Sequence, residues 1–353
     1  MRVAYFGTWE RGYPRNEQVI AALRDAGVDV TELHEELWVD EHKFAAGPAM
    51  LPSAVRAAAR LTFRRVPRDV DALVVGYPGH LDILPAKSHR RPIVFNAMVS
   101  LFDTLVEDRK RFARNSVAAR ALRAVDRAAL RGATVVVADT HANANYLAEL
   151  ARIERPHVCY VGAEERIFRP AWQPAERFHA LFVGKLIPLH GLDVILGAAR
   201  QLPDVPFRVV GSGQEDALLR DRPPNVEHVP WVAYHELPRE YAAAGCALGI
   251  FGASGKAQRV IPNKAFQALA VGTPLITAAT PGVGELLQDR RDALLVEPSV
   301  DSLAHAIRLL RDDQSLAERI GAGGRRTFER EATERVLGAR WADAVAVAIE
   351  RAN

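Results

Sequence analysis

The stretch FGASGKAQRVIPNKAFQALAVGTPLIT, residues 251–277, decides how the rest of the chain is read. It holds a basic Gly/Ser loop (Ser254, Gly255, Lys256, Arg259), a turn at Ile261 and Pro262, a helix over 263–271, a Gly-Thr-Pro break and an apolar strand over 275–277. Such a unit builds an anion site, because the first helical amides have no intrahelical partner and lie at the positive end of the dipole. Asn263 is expected to cap the helix, while Lys264, Arg259 and Lys256 supply charge. The same residues also fit an ordinary β-α-β unit with a buried stripe of Ala265, Phe266, Leu269 and Ala270 and solvated basic side chains. Both readings stand on this stretch alone.

Working outward, 353 residues with 49% hydrophobic and 25% charged side chains suit a soluble protein of two domains. No segment reaches the roughly 18 apolar residues of a membrane span, and MRVAYFGTWERG lacks a signal-peptide core, so a cytoplasmic protein is expected. Cys159 and Cys246 sit beside apolar, strand-like residues and read as reduced core thiols. The formal net charge of +3 is unevenly spread: over residues 56–131, sixteen Lys and Arg stand against seven Asp and Glu. That excess attracts anionic lipid, a phosphorylated substrate or nucleic acid, or else it only solvates helix faces. No nucleic-acid motif accompanies it, so nucleic acid is not an expected partner.

The chain alternates strand and helix from the start. A strand over 3–6 ends in Gly7 and Thr8, a helix covers 16–26, and a strand follows over 28–33. The turn lacks G-x-G-x-x-G, which argues against a dinucleotide. Its loop, with Arg11, Gly12, Arg15 and Asn16, lies where open α/β sheets hold ligands. A helix over 49–63, strands over 72–75 and 93–95, a long helix over 106–130, and strands over 134–138 and 157–161 complete a domain. The stretch IFRPAWQP, 167–174, reads as a linker, after which the alternation restarts. Two Rossmann-like α/β domains are expected, over 1–170 and 171–330, with a terminal helix at 331–353 returning to brace the first.

The second half resembles the nucleotide-sugar glycosyltransferases of the GT-B fold, in particular the retaining family 4. The resemblance rests on LFVGKLIPLHGLDVIL (181–196), RVVGSGQ (208–214), NVEHVPWVAYHELPREYAAAGCALGIF (225–251) and NKAFQALAVGTPLIT (263–277). The first domain matches only in outline, through the Gly7 loop, the ADT at 138–140 and VGAEERIFRP at 161–170. Departures are specific. The family's paired glutamates fall on Arg259 and Gln267, its loop lysine on His190, and its sugar-contacting histidine on Asn96, with Ser100 and Asp103 beyond.

The resemblance implies two domains facing a cleft, a nucleotide diphosphate sugar as substrate with no further cofactor, and transfer of a hexose with retention. UDP or GDP is the expected nucleotide. Preorganised cations and amides stabilise the leaving diphosphate. Lys185, Lys264 and Arg259, with the amides at 263–265, are the candidates, and no metal is expected because no H-E-x-x-H or His/Cys cluster occurs. Gly211, Ser254, Lys256, Pro262, Asn263 and His190 line the same donor site, and Gln267 meets ribose hydroxyls. The base lies near Trp231 and Val232, with Trp231 either stacked on it or packed in the core. In the first domain Gly7 and Thr8 touch the donor, while Arg11, Arg15 and Asn16 meet the acceptor. Asn96 stands at the sugar, and Asp103 handles the acceptor hydroxyl or caps a helix. Glu164 and Glu165 are read as structural.

A lipid or glycolipid acceptor at the inner face of an anionic membrane fits the Arg-rich first domain and the apolar Trp38, Phe44, Met50 and Leu51, and a soluble sugar or natural-product acceptor stays open beside it. The loop over 41–52 is a candidate lid. Two other readings compete. One is a non-catalytic nucleotide-sugar-binding subunit, prompted by the lost glutamates; the other is a nucleotide-sugar epimerase, for which the matching carboxylates are missing.

Overall fold

The computed structural model describes residues 1–37 and 51–352. Trp38, Phe44, Met50, the Leu51 side chain and most of the expected lid over 41–52 lie outside the described residues. The chain divides into two compact units, Met1–Tyr160 with Glu334–Asn353, and Val161–Thr333. The division precedes the proline-bearing stretch at 167–174. That stretch is packed into the second unit: the Ala171 and Trp172 amides donate to the Val271 carbonyl, and the Trp172 indole donates to the Ala244 carbonyl at 2.7 Å.

The first unit alternates β1 (Arg2–Gly7), α1 (Pro14–Asp25), β2 (Asp29–His34), α2 (Leu51–Phe63), β3 (Ala72–Val75), α3 (Ile83–Ser88), β4 (Ile93–Asn96), α4 (Val117–Gly132), β5 (Val135–Ala138), α5 (His141–Ala151) and β6 (His157–Val158). Its strands are all parallel, in the order β2-β1-β3-β4-β5-β6. Parallel strands covered on both faces read as unbroken apolar runs. Accordingly, β3, β4 and β5 are buried at every position. On one face Phe6, Val75 and Phe95 pack with Leu61 of α2, Ile83 of α3, Leu130 of α4 and Leu147 of α5. Along the opposite face α1 packs with the terminal helix Glu334–Glu350, which also meets β3, β4 and β5. The two helices cross so closely that a side chain at Gly338 would strike the Ala22 carbonyl.

One helix expected over 106–130 is two pieces. A π-helical turn, Asp103–Asp108, stops at Arg109, and α4 starts afresh at Val117 behind Ser116, whose Oγ accepts from the Ala119 amide at 3.1 Å. The intervening RKRFARN, 109–115, carries four cations and no apolar stripe to hold a helix on the core.

In the second unit follow β7 (Ala180–Val183), α6 (Leu192–Gln201), β8 (Phe207–Val210), β9 (Val226–Val229), α7 (Leu237–Ala243), β10 (Cys246–Leu248), α8 (Asn263–Val271), β11 (Leu275–Ala278), α9 (Pro281–Gly284), β12 (Leu294–Val296), α10 (Val300–Asp312) and α11 (Gln314–Glu331). The sheet is again parallel, ordered β12-β11-β10-β7-β8-β9. Phe182, Val209, Leu248 and Ile276 form its core with Leu196 of α6, Ile307 of α10 and Ile320 of α11. The terminal helix, α12, then belongs to the first unit. Both cysteines are free and buried, and burial pushes the Cys159 thiol up to about 11.

Candidate functional site

In the second unit the chain leaves β7 at Gly184 with φ +150°, a backbone that L side chains rarely adopt. A side chain there would also collide, since its Cβ would lie 2.8 Å from Lys264 Nζ and 3.3 Å from His190 Cε1. Glycine therefore lets the backbone, the lysine and the histidine meet. Lys264 comes from the first turn of α8 and is 6% exposed, with its ammonium 3.6 Å from the centroid of the Phe182 ring. Among the described residues the buried Nζ has no hydrogen-bond partner. Burial pushes its pKa well below the ordinary lysine value.

The helix start itself differs from expectation. Asn263 is the first helical residue and not the cap; Pro262 holds that position and offers no side-chain bond, and the Ala265 amide already donates to the Pro262 carbonyl at 2.9 Å. What the first turn of α8 presents is thus the amides of Asn263 and Lys264 beside a buried cation. His190 is buried on the 3₁₀ turn Pro188–His190, with Nδ1 on the Lys185 carbonyl and the ring edge-on to Phe182 at 5.4 Å. Lys185 itself is exposed. Gly211, at the end of β8, lies directly against the Gly184 carbonyl.

The loop before α8 is seated through Ala257 and Val260 on Leu189 and Ile250. Ser254 Oγ accepts from the Ala257 amide at 3.2 Å, and Lys256 and Arg259 are half-buried. The Arg259 guanidinium folds back over Gly255. Trp231 is 67% exposed, which removes its core alternative, and Val232 beside it is half-buried. Gln267 departs from its expected role. It is buried, and its Oε1 accepts the Tyr241 hydroxyl at 3.0 Å, so that oxygen is not presented to a ribose. Glu164 is buried too, with the Arg166 fork on Oε2 at 2.6 and 2.9 Å.

In the first unit several candidates change role. The turn after β1 already holds an anion: Asp82 Oδ2 accepts from the Thr8 amide at 2.8 Å, and the Thr8 hydroxyl lies 3.0 and 3.1 Å from the two carboxylate oxygens. Gly7, at φ +128°, leaves the room that Asp82 fills. Gly7 and Thr8 thus contact the protein's own carboxylate in place of a donor. Arg15, expected at the acceptor, is fully buried; it donates to the Tyr160 and Cys159 carbonyls at 2.7 and 3.1 Å and to Asn96 Oδ1 at 3.2 Å. Asn16 is equally buried, its Oδ1 accepting from the Tyr5 hydroxyl and the Tyr77 amide. Both hold the unit together, while Arg11 is exposed.

Asp103 is buried and opens the π-helical turn without capping it. The turn is fixed by a residue the sequence reading passed over. Asp126 of α4, wholly buried, accepts from Ser100 Oγ at 2.6 Å, the Leu101 amide at 2.8 Å and the Phe102 amide at 3.0 Å. His80 stands 3.3 Å from the same carboxylate, and burial pushes its pKa below the ordinary histidine value despite Asp126. The signal was legible in principle: Asp126 shares the inward register of Ala119, Ala129 and Leu130, where a carboxylate demands partners. Among the described residues no three His, Cys, Asp or Glu gather as a metal site, and no helix is long and apolar enough to cross a membrane.

Two parallel six-stranded units of this kind define the GT-B glycosyltransferase fold. Residues 193–343 match the model of the family described as glycosyl transferase-like. The chain is 26% identical over 168 residues to the lipopolysaccharide core biosynthesis glycosyltransferase LpsD of Rhizobium meliloti, covering 46% of this chain and 48% of that protein. A D-inositol 3-phosphate glycosyltransferase of Nocardioides is 27% identical over 55% of this chain and 49% of its own. The chain spans about half the length of these curated relatives. Among solved structures, a sucrose-phosphate synthase from Thermosynechococcus elongatus superposes with TM-score 0.75 at 18% identity, over 97% of this chain and 98% of the other. HepE of Anabaena, in complex with UDP-glucose, gives 0.70 at 14% identity over 98% and 99%.

Burial raises the Asp82 pKa from 3.8 to about 6, with the two Thr8 bonds working against it. A folded-state value above the unfolded one means that Asp82 favours folding most at low pH and progressively less as pH climbs from about 4 to 6. The rise is worth roughly 3 kcal/mol. Asp82→Asn is therefore expected to flatten the stability profile across that window and to raise the melting temperature at pH 7. Parallel wild-type and variant profiles in thermal melts would refute the assignment.

Proposed function

We propose that the protein is a glycosyltransferase that takes a hexose from a nucleoside diphosphate sugar and binds the leaving diphosphate in its second unit. The observation that carries this reading is the Lys264 ammonium, buried and without a hydrogen-bond partner at the Gly184 turn. A buried cation without a partner is costly, and a diphosphate at the first turn of α8 offsets that cost with charge and hydrogen bonds. Lys185 and Arg259 add charge at the rim, and Trp231 offers a face to the base. These cations do the work a metal would otherwise do on the leaving group, so transfer is metal-independent. UDP is the first candidate nucleotide, since HepE was solved with UDP-glucose, and GDP the second.

In the first unit Asp103 is assigned to the acceptor hydroxyl, whereas Asn96, expected at the sugar, is wholly buried with Oδ1 on Arg15 and is withdrawn from that role. Configuration is retained. The acceptor is a lipid-linked sugar met at the inner face of a membrane. A second reading, a nucleotide-sugar-binding subunit without transfer, draws on Gln267, whose oxygen is engaged by Tyr241.

In a thermal-shift panel of UDP, GDP, ADP, CDP and TDP, one diphosphate is expected to stabilise the wild type. Lys264→Ala should weaken that ligand at least tenfold, on the order of 1.4 kcal/mol. Equal affinity in the variant would sink the phosphate assignment. No shift with any diphosphate would favour neither form of donor binding.

Binding should also be linked to protons. The unliganded Lys264 loses its proton below the usual lysine range, and a diphosphate restores it, so binding takes up protons and UDP affinity falls as pH rises. Calorimetry in buffers of different ionisation heat reads this directly. A slope that persists in Lys264→Met would assign the titration elsewhere. Donor turnover, by transfer or by hydrolysis, is expected to proceed undiminished in EDTA; loss of turnover would contradict the metal-free reading, and binding without turnover would select the subunit reading.

A further inference from the structure

Three helices of the first unit, α2, α3 and α4, lie side by side on one face of its sheet, with the ends of α2 and α4 both against the short α3. The His89 ring meets the Leu61 carbonyl at 2.9 Å, just beyond α3 and at the end of α2. A side chain at Gly132, the last residue of α4, would touch Ile83 and Lys87 of α3. Phe63, Lys87 and Arg131 thus share one surface. Phe63 is 85% exposed, Leu84 78% and Val55 61%. Along α2 the outward line Val55, Ala59 and Phe63 runs beside Arg56 and Arg60. Along α4 an open groove is lined by Arg120, Arg123, Ala124, Arg127, Ala128 and Arg131.

Among the described residues, the outer faces of α2, α3 and α4 carry no acidic side chain. Residues 51–68 and 83–92 contain none, and the one carboxylate of α4, Asp126, is wholly buried and turned toward Ser100, Leu101 and Phe102. Glu35 stands at the border, where it takes Arg60 and Arg64 at 3.6 and 2.8 Å. Arg127 and Arg131 donate to the Leu150 and Ala151 carbonyls at 2.8 and 2.7 Å, which holds the guanidinium groups in place without neutralising them.

We propose that the outer surface of α2, α3 and α4 docks on a membrane bearing anionic lipid. Single exposed apolar side chains set among cations suit that interface. Phe63, Leu84 and Val55 enter the acyl boundary while the guanidinium groups stay at the phosphates. A second copy of the chain would bring arginine against arginine. Nucleic acid would satisfy the charge but leave Phe63 and Leu84 in water. The proposal deepens the acceptor side of the function given above and rests on it only there; the surface itself is independent of the donor site.

The test is co-sedimentation of the full chain with vesicles of phosphatidylcholine, alone or mixed with phosphatidylglycerol. The protein is expected to sediment only with the mixed vesicles and to be released as salt is raised. The double variant Arg120→Glu/Arg127→Glu and the single variant Phe63→Ser should each weaken partitioning to the mixed vesicles about tenfold, the first through lost charge and the second through lost apolar insertion. Arg319→Glu, on α11 of the second unit, should leave it unchanged. Equal binding to phosphatidylcholine alone, or wild-type binding by both variants, overturns the proposal. So does tighter binding to single-stranded RNA that the arginine variant loses and Phe63→Ser keeps. UDP binding is measured on the same samples: if no sample binds UDP, the donor reading fails while the vesicle result still decides this surface.

Discussion

A lysine amine taken out of water, with no hydrogen-bond partner among the described residues, is the constraint around which the second unit is built. Lys264 lies over Phe182 and against Gly184, and each neighbour is shaped by it. The glycine gives it room, the ring gives it a negative face, and His190 closes the side. None of these is a counter-charge. The arrangement is stable because the whole helix α8 is buried behind it, from Ala265 through Val271, and that packing offsets one poorly solvated group.

The first unit repeats the geometry and resolves it differently. Its leading strand also ends in a glycine of positive φ, and the following amide and hydroxyl also point at an anion position. There the anion is Asp82, supplied by the chain. One turn is internally satisfied, and the other leaves a buried amine without a hydrogen-bond partner among the described residues. This asymmetry sets the two turns apart, although both strand ends occupy the position where open parallel sheets hold ligands.

Much of this was legible in the residues. Doubly buried strands such as β3, β4 and β7 announce themselves as apolar runs, and Lys264 follows a turn and opens a helix, which is a local pattern. What failed to show was set by partners far away in the chain. Arg15 and Asn16 follow a glycine-bearing turn, at the start of α1, and look like ligand contacts until Tyr160, 145 positions on, and Tyr77, 61 positions on, claim them. Thr8 and Asp82 are 74 positions apart, and no spacing rule connects them. The break at 109–115 was hidden because cations and alanines are acceptable in a helix until one asks which face is buried. Whether Trp231 lay inside or outside was a question only the fold could answer.

The path of the chain has a consequence for its synthesis. The first unit begins the chain, stops at Tyr160, and takes its last helix from Glu334–Glu350. The covering of α1, β3, β4 and β5 is therefore made only after every residue of the second unit. Domains emerging from the ribosome usually fold in the order of their appearance. Here the order is inverted: the second unit, unbroken in sequence, can finish first, while one face of the earlier sheet waits without its helix and is the surface a chaperone would have to shield.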